Sequence, residues 1–219
     1  MTQAKLAMRP VPRPVPLRQA VYDALIDQIV SGELLPGQHL VETDIAGQLG
    51  VSRQPIREAL HRMEAEGWVD LRPSQGAFVH VPTDSEVDEL LDVRELLDAE
   101  TARLAARHSD AAGVARLRTL WQDGQTADDL GRDVAANDAF HAEVAVLASN
   151  GVLAGLAGSV SLRVQWYYRL VAPARRHGSW AEHAELIDAI EIHDEARAQL
   201  LARTHTERTR SAYHQGSGL

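Results

Sequence analysis

Glu42–Gly67, ETDIAGQLGVSRQPIREALHRMEAEG, decides how the rest of the chain is read. The stretch has the pattern of two helices joined by a tight turn. Ile45, Leu49 and Val51 give the first helix and the turn an apolar side. Gly50 falls where that helix should stop, because glycine adopts φ > 0 without steric cost. Ser52 is placed as an N-cap, and Arg53-Gln54-Pro55 fill a first turn in which proline is tolerated. Ile56, Ala59, Leu60 and Met63 recur at helical spacing and face inward. Arg53, Gln54, Arg57 and His61 fall on other faces and stay available. A helix whose first turns present Ser, Gln and two Arg suits the DNA major groove. Guanidinium forks match guanine edges, while hydroxyls and helix N-termini hold phosphates. A helical hairpin with a charged, solvated face fits the same spacing, so the two helices alone leave both readings open.

The next residues tip the balance. Trp68-Val69-Asp70-Leu71-Arg72 alternates like a strand, Pro73-Ser74-Gln75-Gly76 is turn chemistry, and Ala77-Phe78-Val79-His80-Val81 alternates again. A β-hairpin directly behind the second helix makes a winged helix-turn-helix. The run PGQHLVETDIAGQLGVSRQPIREALHRMEAEGWVDLRPSQGAFV resembles the DNA-binding domain of the GntR family of bacterial transcription regulators, without gaps from about Leu17 to Val81. The resemblance implies that Ser52, Arg53 and Arg57, with Gly76 at the wing tip, contact operator DNA. Thr43 stands where some members of that family carry an additional DNA-reading arginine.

A length of 219 residues allows one large or two modest domains, and 45% apolar residues suffice for real cores. There is no cysteine, which excludes disulfides and thiolate metal sites. No apolar run approaches a membrane span, and residues 1–30 lack the apolar core of a signal peptide, so a cytoplasmic protein with no membrane partner is expected. The net charge of −9 is uneven. Residues 1–80 hold 8 Lys+Arg against 9 Asp+Glu, and residues 81–219 hold 14 against 22. The acidic excess lies in the second part, which leaves room for a local basic patch in the first.

Residues 1–16, MTQAKLAMRPVPRPVP, are Pro-rich and read as a flexible arm. Leu17–Ser31 is an amphipathic helix with Val21, Leu25, Ile26 and Ile29 on one side, and residues 32–37 form a loop. Thr83 or Asp84 can cap a new helix, so the winged domain spans 17–82 and a second domain spans 83–213, with a frayed tail at 214–219. In the second domain strand signals vanish. Roughly six helices are expected: 84–108, 111–127, 132–149, 152–171, 180–192 and 195–213, with a break at Pro173–Ser179. Short links make this an antiparallel bundle, and the fold class is mainly α. VRELLDAETARLAA, NDAFHAEVAVLASN and EHAELIDAIEIHDEARAQLLARTHTERT resemble the all-helical FCD ligand-binding domain that partners the GntR winged helix in the FadR-like subfamily.

His141, His183 and His205 each lie on the apolar side of a different helix. A lone inward histidine is usually a hydrogen-bonded core residue. Three converging imidazoles are better explained by a divalent metal. Asn137 lies one turn before His141 on the same face. The FCD resemblance implies metal ligation by an Asp or Asn at position 137 and by these three histidines. Asparagine is a neutral oxygen donor, which favours Zn²⁺ or Ni²⁺ over hard cations. Arg94 and Arg163 also sit on apolar faces, where a guanidinium needs an anionic partner. A fixed salt bridge, to Asp98 or Glu95 for instance, is one solution. For Arg94 the family pattern implies a second one, a bidentate grip on an effector carboxylate beside the metal, in a pocket that Tyr167 and Trp166 could line. The expected function is a ligand-responsive transcription regulator, a repressor, that binds a palindromic operator as a homodimer and is retuned by a small organic acid. A metalloenzyme using the three-histidine site is the alternative.

Overall fold

The computed structural model describes residues 16–216, so the arm expected at 1–16, apart from Pro16, and the last three residues of the expected tail lie outside the described residues. The chain divides into two compact units. One comprises the described residues up to Gln28 together with Leu35–His80, and the other comprises Ile29–Leu34 and the described residues from Val81.

The helices α1 (Leu17–Ser31), α2 (Glu42–Leu49) and α3 (Arg53–Ala65) precede a hairpin of β2 (Val69–Arg72) and β3 (Gly76–Val79). Ile56, Ala59, Leu60 and Met63 of α3 are buried, as their spacing predicts. Gly50 takes φ 66° at the end of α2, the left-handed conformation that stops the helix. Ser52 occupies the N-cap position of α3 with extended backbone, although its hydroxyl makes no capping bond there. A short strand β1 (His39–Leu40) pairs antiparallel with β3, placing His39 opposite Phe78 and Leu40 opposite Ala77, and the sheet order is β1-β3-β2. The sequence reading missed this strand: two residues are too few to show alternation. What marks it structurally is Leu40, buried against the same sheet as Ala77 and Val79.

The second unit is a helical bundle: α4 (Asp84–His108), α5 (Ala111–Gln125), α6 (Leu130–Leu147), α7 (Gly151–Glu191) and α8 (Glu195–Gly216). Each start has a visible cap. Thr83 forms a full capping box with Glu86. Asp110, Asp129, Asn150 and Asp194 accept from the backbone N–H three residues on. Alanines 102, 105 and 106 of α4 and 198 and 202 of α8 are buried, and these small side chains let the helices approach around Phe140, Trp180, Ile187 and Ile190.

Two expectations are corrected. The bundle has five helices among the described residues rather than six, because the expected break at Pro173–Ser179 does not occur and α7 runs on for 41 residues with Pro173 inside. An interior proline costs about 3 kcal/mol, but Val171, Ala172, Ser179 and Trp180 on either side are all buried. Burying that apolar surface outweighs the local signal. The expected fraying at 214–216 is also absent, since α8 continues through His214 and Gln215 to Gly216, with His214 Nε2 2.9 Å from Asp88.

Trp180 explains one glycine. A Cβ at Gly124 would lie 2.0 Å from the Trp180 ring, and Trp180 Nε1 donates to Asp133 Oδ1 at 2.8 Å, so the ring cannot withdraw freely. Gly124→Ala is therefore expected to destabilise the helical unit by about 1–3 kcal/mol through overpacking. Urea unfolding followed by tryptophan fluorescence measures it, and an unchanged midpoint would refute the packing argument.

Candidate functional site

In the first unit, α3 and the hairpin border a cleft whose walls include Thr43, Arg53, Arg57, His61, Arg72 and Gly76. Four of the six residues expected at DNA thus meet at one surface. Ser52 and Gln54 are exposed on α3 outside these walls, and Gln54 donates to Glu58 at 2.9 Å. Gly76 has φ 98°, a conformation L side chains rarely adopt, and a Cβ there would lie 2.8 Å from the His39 ring. The wing is braced by aromatics: His39 stacks on Phe78 at 4.7 Å, and the Arg72 guanidinium lies 4.2 Å from the Phe78 ring centroid.

Sequence reasoning missed Glu42 here. Its carboxylate accepts from Arg53 Nη2 at 2.7 Å and from Arg57 Nε at 2.8 Å, so one acid gathers both guanidiniums. Arg53 above all, with Arg57 behind it, holds its carboxyl below the usual range against the opposing effect of burial. The only available signal was an acid in the first turn of α2, which ordinary helix electrostatics already explains.

In the second unit the three expected histidines do converge. His141 comes from α6, His183 from α7 and His205 from α8, and each offers a ring nitrogen within 4.8 Å of those of the others. No other such group of metal-binding side chains occurs among the described residues. Phe140 stacks on His183 at 4.2 Å, and Trp180 meets it edge-on at 4.9 Å. Burial drives the pKa of His141 and His183 well below the ordinary imidazole range, helped by the nearby Arg94 charge. Burial lowers the His205 pKa as well, against the opposing pull of Glu182, so the site favours the neutral ring, the form that can donate a lone pair to a metal. His183 Nδ1 and Nε2, His141 Nε2 and Asn137 Oδ1 are buried with no hydrogen-bond partner. Three imidazoles, a neutral amide oxygen and orphaned buried acceptors are a donor set that fits a borderline divalent ion.

Glu182 completes this centre and was not read from the sequence. It accepts from His205 Nδ1 at 2.7 Å, Arg175 Nη2 at 2.6 Å and Arg208 Nη1 at 2.9 Å. Burial alone would raise its pKa, but these donors hold it down to about 2. With Nδ1–H committed to Glu182, His205 presents Nε2 as its free lone pair. Only a contact across two helices distinguishes Glu182 from any other helical acid.

Arg94 is largely buried and bonded to Asp98, its Nε donating at 2.8 Å. That is the fixed salt bridge weighed above, yet Arg94 also lines two cavities. One, of about 220 Å³, is bounded by Asp98, Asp138, His141, Ser161 and several Ala side chains of α6 and α7. The other, of about 20 Å³, includes Asn137, Tyr167, Tyr168 and His205. Tyr167 therefore sits near Arg94 as expected. Arg163 instead bonds the Tyr167 hydroxyl and approaches the Trp166 ring at 5.8 Å, and it lines neither cavity. Trp166 is buried and lines neither.

Comparisons with known proteins agree with both halves. Residues 17–79 match the model of the bacterial regulatory proteins of the gntR family, and residues 89–208 match the FCD domain. An HTH-type transcriptional regulator of Streptomyces ambofaciens is 30% identical over 86% of this chain and 81% of its own. A regulator of Paenarthrobacter nicotinovorans, named for repression of a D-xylose utilization operon, is 28% identical over 82% of this chain and 80% of its own. The solved structure of a GntR transcriptional regulator from Rhodococcus sp. RHA1 superposes with a TM-score of 0.76 at 26% identity, covering 90% of this chain and 97% of that one. These relatives are named as regulators of transcription, not as enzymes. A winged helix-turn-helix followed by an FCD bundle, matched along nearly the whole described chain, makes this protein a member of the GntR family of DNA-binding transcription regulators, with an FCD domain of the FadR-like kind.

Proposed function

We propose that this regulator is a repressor that binds a palindromic operator as a homodimer and is retuned by a small carboxylate held beside a divalent metal in the helical unit. The observation that carries the reading is the group of three imidazoles, two buried and one half-buried, with nitrogens within 4.8 Å of one another, beside a cavity lined by Arg94. His141, His183 and His205 are the ligands, and Asn137 is a weaker fourth. A Zn²⁺ or Ni²⁺ held by these residues would supply the positive charge that attracts an anion. Arg94 exchanges part of its bond to Asp98 for the incoming carboxylate, and Tyr167 borders the smaller space behind it. Arg163, bonded to Tyr167, supports that wall from outside. Repression is supported by the Paenarthrobacter relative, which is named as a repressor. The dimer is supported by Leu96, Val146, Val152 and Leu156, which are exposed on the three helices that line the larger cavity. On DNA, Arg53, Arg57 and Thr43 face the groove, Ser52 and Gln54 border it, and Gly76 lets the wing tip approach the backbone.

Gel shifts against the DNA flanking the gene, with and without a panel of organic acids, test the whole reading. Arg53→Ala and Arg57→Ala are each expected to cost about 1–3 kcal/mol of specific operator binding, and unchanged affinity in both removes them from the DNA surface. Protein supplemented with Zn²⁺ or Ni²⁺ and then desalted is expected to carry about one ion per chain. Glu182→Gln is expected to weaken metal affinity roughly 10–100-fold by freeing His205. A folded wild-type protein that retains no ion returns the histidines to the core. Arg94→Ala is expected to abolish the response to the acid while leaving operator binding without ligand nearly intact. A normal response in that variant refutes the carboxylate grip.

A further inference from the structure

The larger cavity carries a second polar feature besides Arg94 and His141. Most of its wall is small and apolar, with Ala142, Ala145, Ala157 and Gly158 leaving the space open. Into this wall are set Asp138 of α6 and Ser161 of α7, joined by a short hydrogen bond in which the Ser161 hydroxyl donates to Asp138 Oδ1. Asp138 is half-buried, and among the described residues that hydroxyl is its hydrogen-bond partner and no cation pairs with it. Asp98, the other carboxylate of the cavity, is answered by Arg94.

An ionised carboxylate has about four acceptor positions, and one hydroxyl occupies one of them. In solution the remaining positions are met by water. A ligand that enters expels this water and must either replace its hydrogen bonds or leave a charged acceptor unsatisfied. An aliphatic chain does the second. A hydroxyl or an ammonium group does the first, and an ammonium also neutralises the charge. Asp138 and His141 are three residues apart on one helix, with Cβ atoms roughly 5–6 Å apart, so a molecule of a few carbons reaches both.

We propose that Asp138, positioned by Ser161, is a specificity-determining residue that selects small acids bearing a hydroxyl or ammonium donor over plain aliphatic acids. This rests on the reading that a carboxylate binds between Arg94 and the histidine centre. It adds what the rest of that ligand must carry. Sites built to hydrogen-bond a substrate group discriminate strongly against analogues that lack it, because the protein's own polar group is left stranded.

Titration calorimetry on the full-length, Zn²⁺-loaded protein tests it with two matched series: propanoate, lactate and alanine, then butanoate, 3-hydroxybutanoate and 4-aminobutanoate. In the wild type, the best donor-bearing acid is expected to bind at least tenfold more tightly than its plain analogue. Asp138→Ala is expected to bring that ratio within twofold without weakening the plain acid. Asp138→Asn, nearly isosteric and so a check on folding, is expected to keep a preference for hydroxyl and lose one for ammonium. A preference for either donor class alone supports the assignment and names the class. Plain acids that bind the wild type as tightly as their donor-bearing analogues, or a preference that survives in Asp138→Ala, overturn the role of Asp138 and leave the carboxylate site standing. If none of the six acids binds, the carboxylate site and this selectivity fall together.

Discussion

Glu182 carries a full negative charge into the interior between α7 and α8, and the helical unit is arranged to satisfy it. Arg175 reaches it from about two turns earlier on α7, while His205 and Arg208 reach it from α8. Removing one partner of such a buried group leaves an uncompensated charge, which is far costlier than never having built the pair. The register of α7 against α8 is therefore held at this point. His183 is the next residue along α7 and His205 is one of the three donors, so the geometry of the imidazole cluster inherits that register. The apolar clamp of Phe140 and Trp180 around His183 adds a second constraint on the same ring.

The winged unit was legible from local chemistry because its informative features are local. The glycine that ends α2, the apolar spacing of α3 and the turn residues of the hairpin each act within a few residues. The imidazole cluster was legible for a different reason: helical periodicity alone puts His141, His183 and His205 on inward faces. What was not legible depends on partners distant in the chain. Nothing near residue 173 shows that the burial of Trp180 will override a proline. Nothing near residue 182 shows that Arg208, on another helix, will meet it. Strand β1 exists only because β3 is there to pair with it.

Glu42 gathers the two guanidiniums that are proposed to meet DNA. The two ion pairs it makes are exposed, so they contribute little to folding stability. Their effect is geometric, since two long and otherwise independent side chains are gathered at one point before any partner arrives. Less rotamer entropy then remains to be lost when they are engaged. If these arginines meet DNA as proposed, an incoming phosphate or base edge has to displace a carboxylate. Non-specific attraction is thereby lowered more than a contact that satisfies both guanidiniums at once.

Helix α7 extends for 41 residues, roughly 60 Å at 1.5 Å per residue, with Ser161 of the larger cavity on its first half and His183 on its second. Pro173 lies between them, and a proline has no N–H to give to the carbonyl of residue 169. A rod with one missing rung is not uniformly stiff. Its resistance to flexing is lowest at that rung and high on both sides, so strain imposed at either end concentrates there instead of spreading along the length. Any bend imposed on α7 is therefore expected at Pro173 rather than elsewhere along its length.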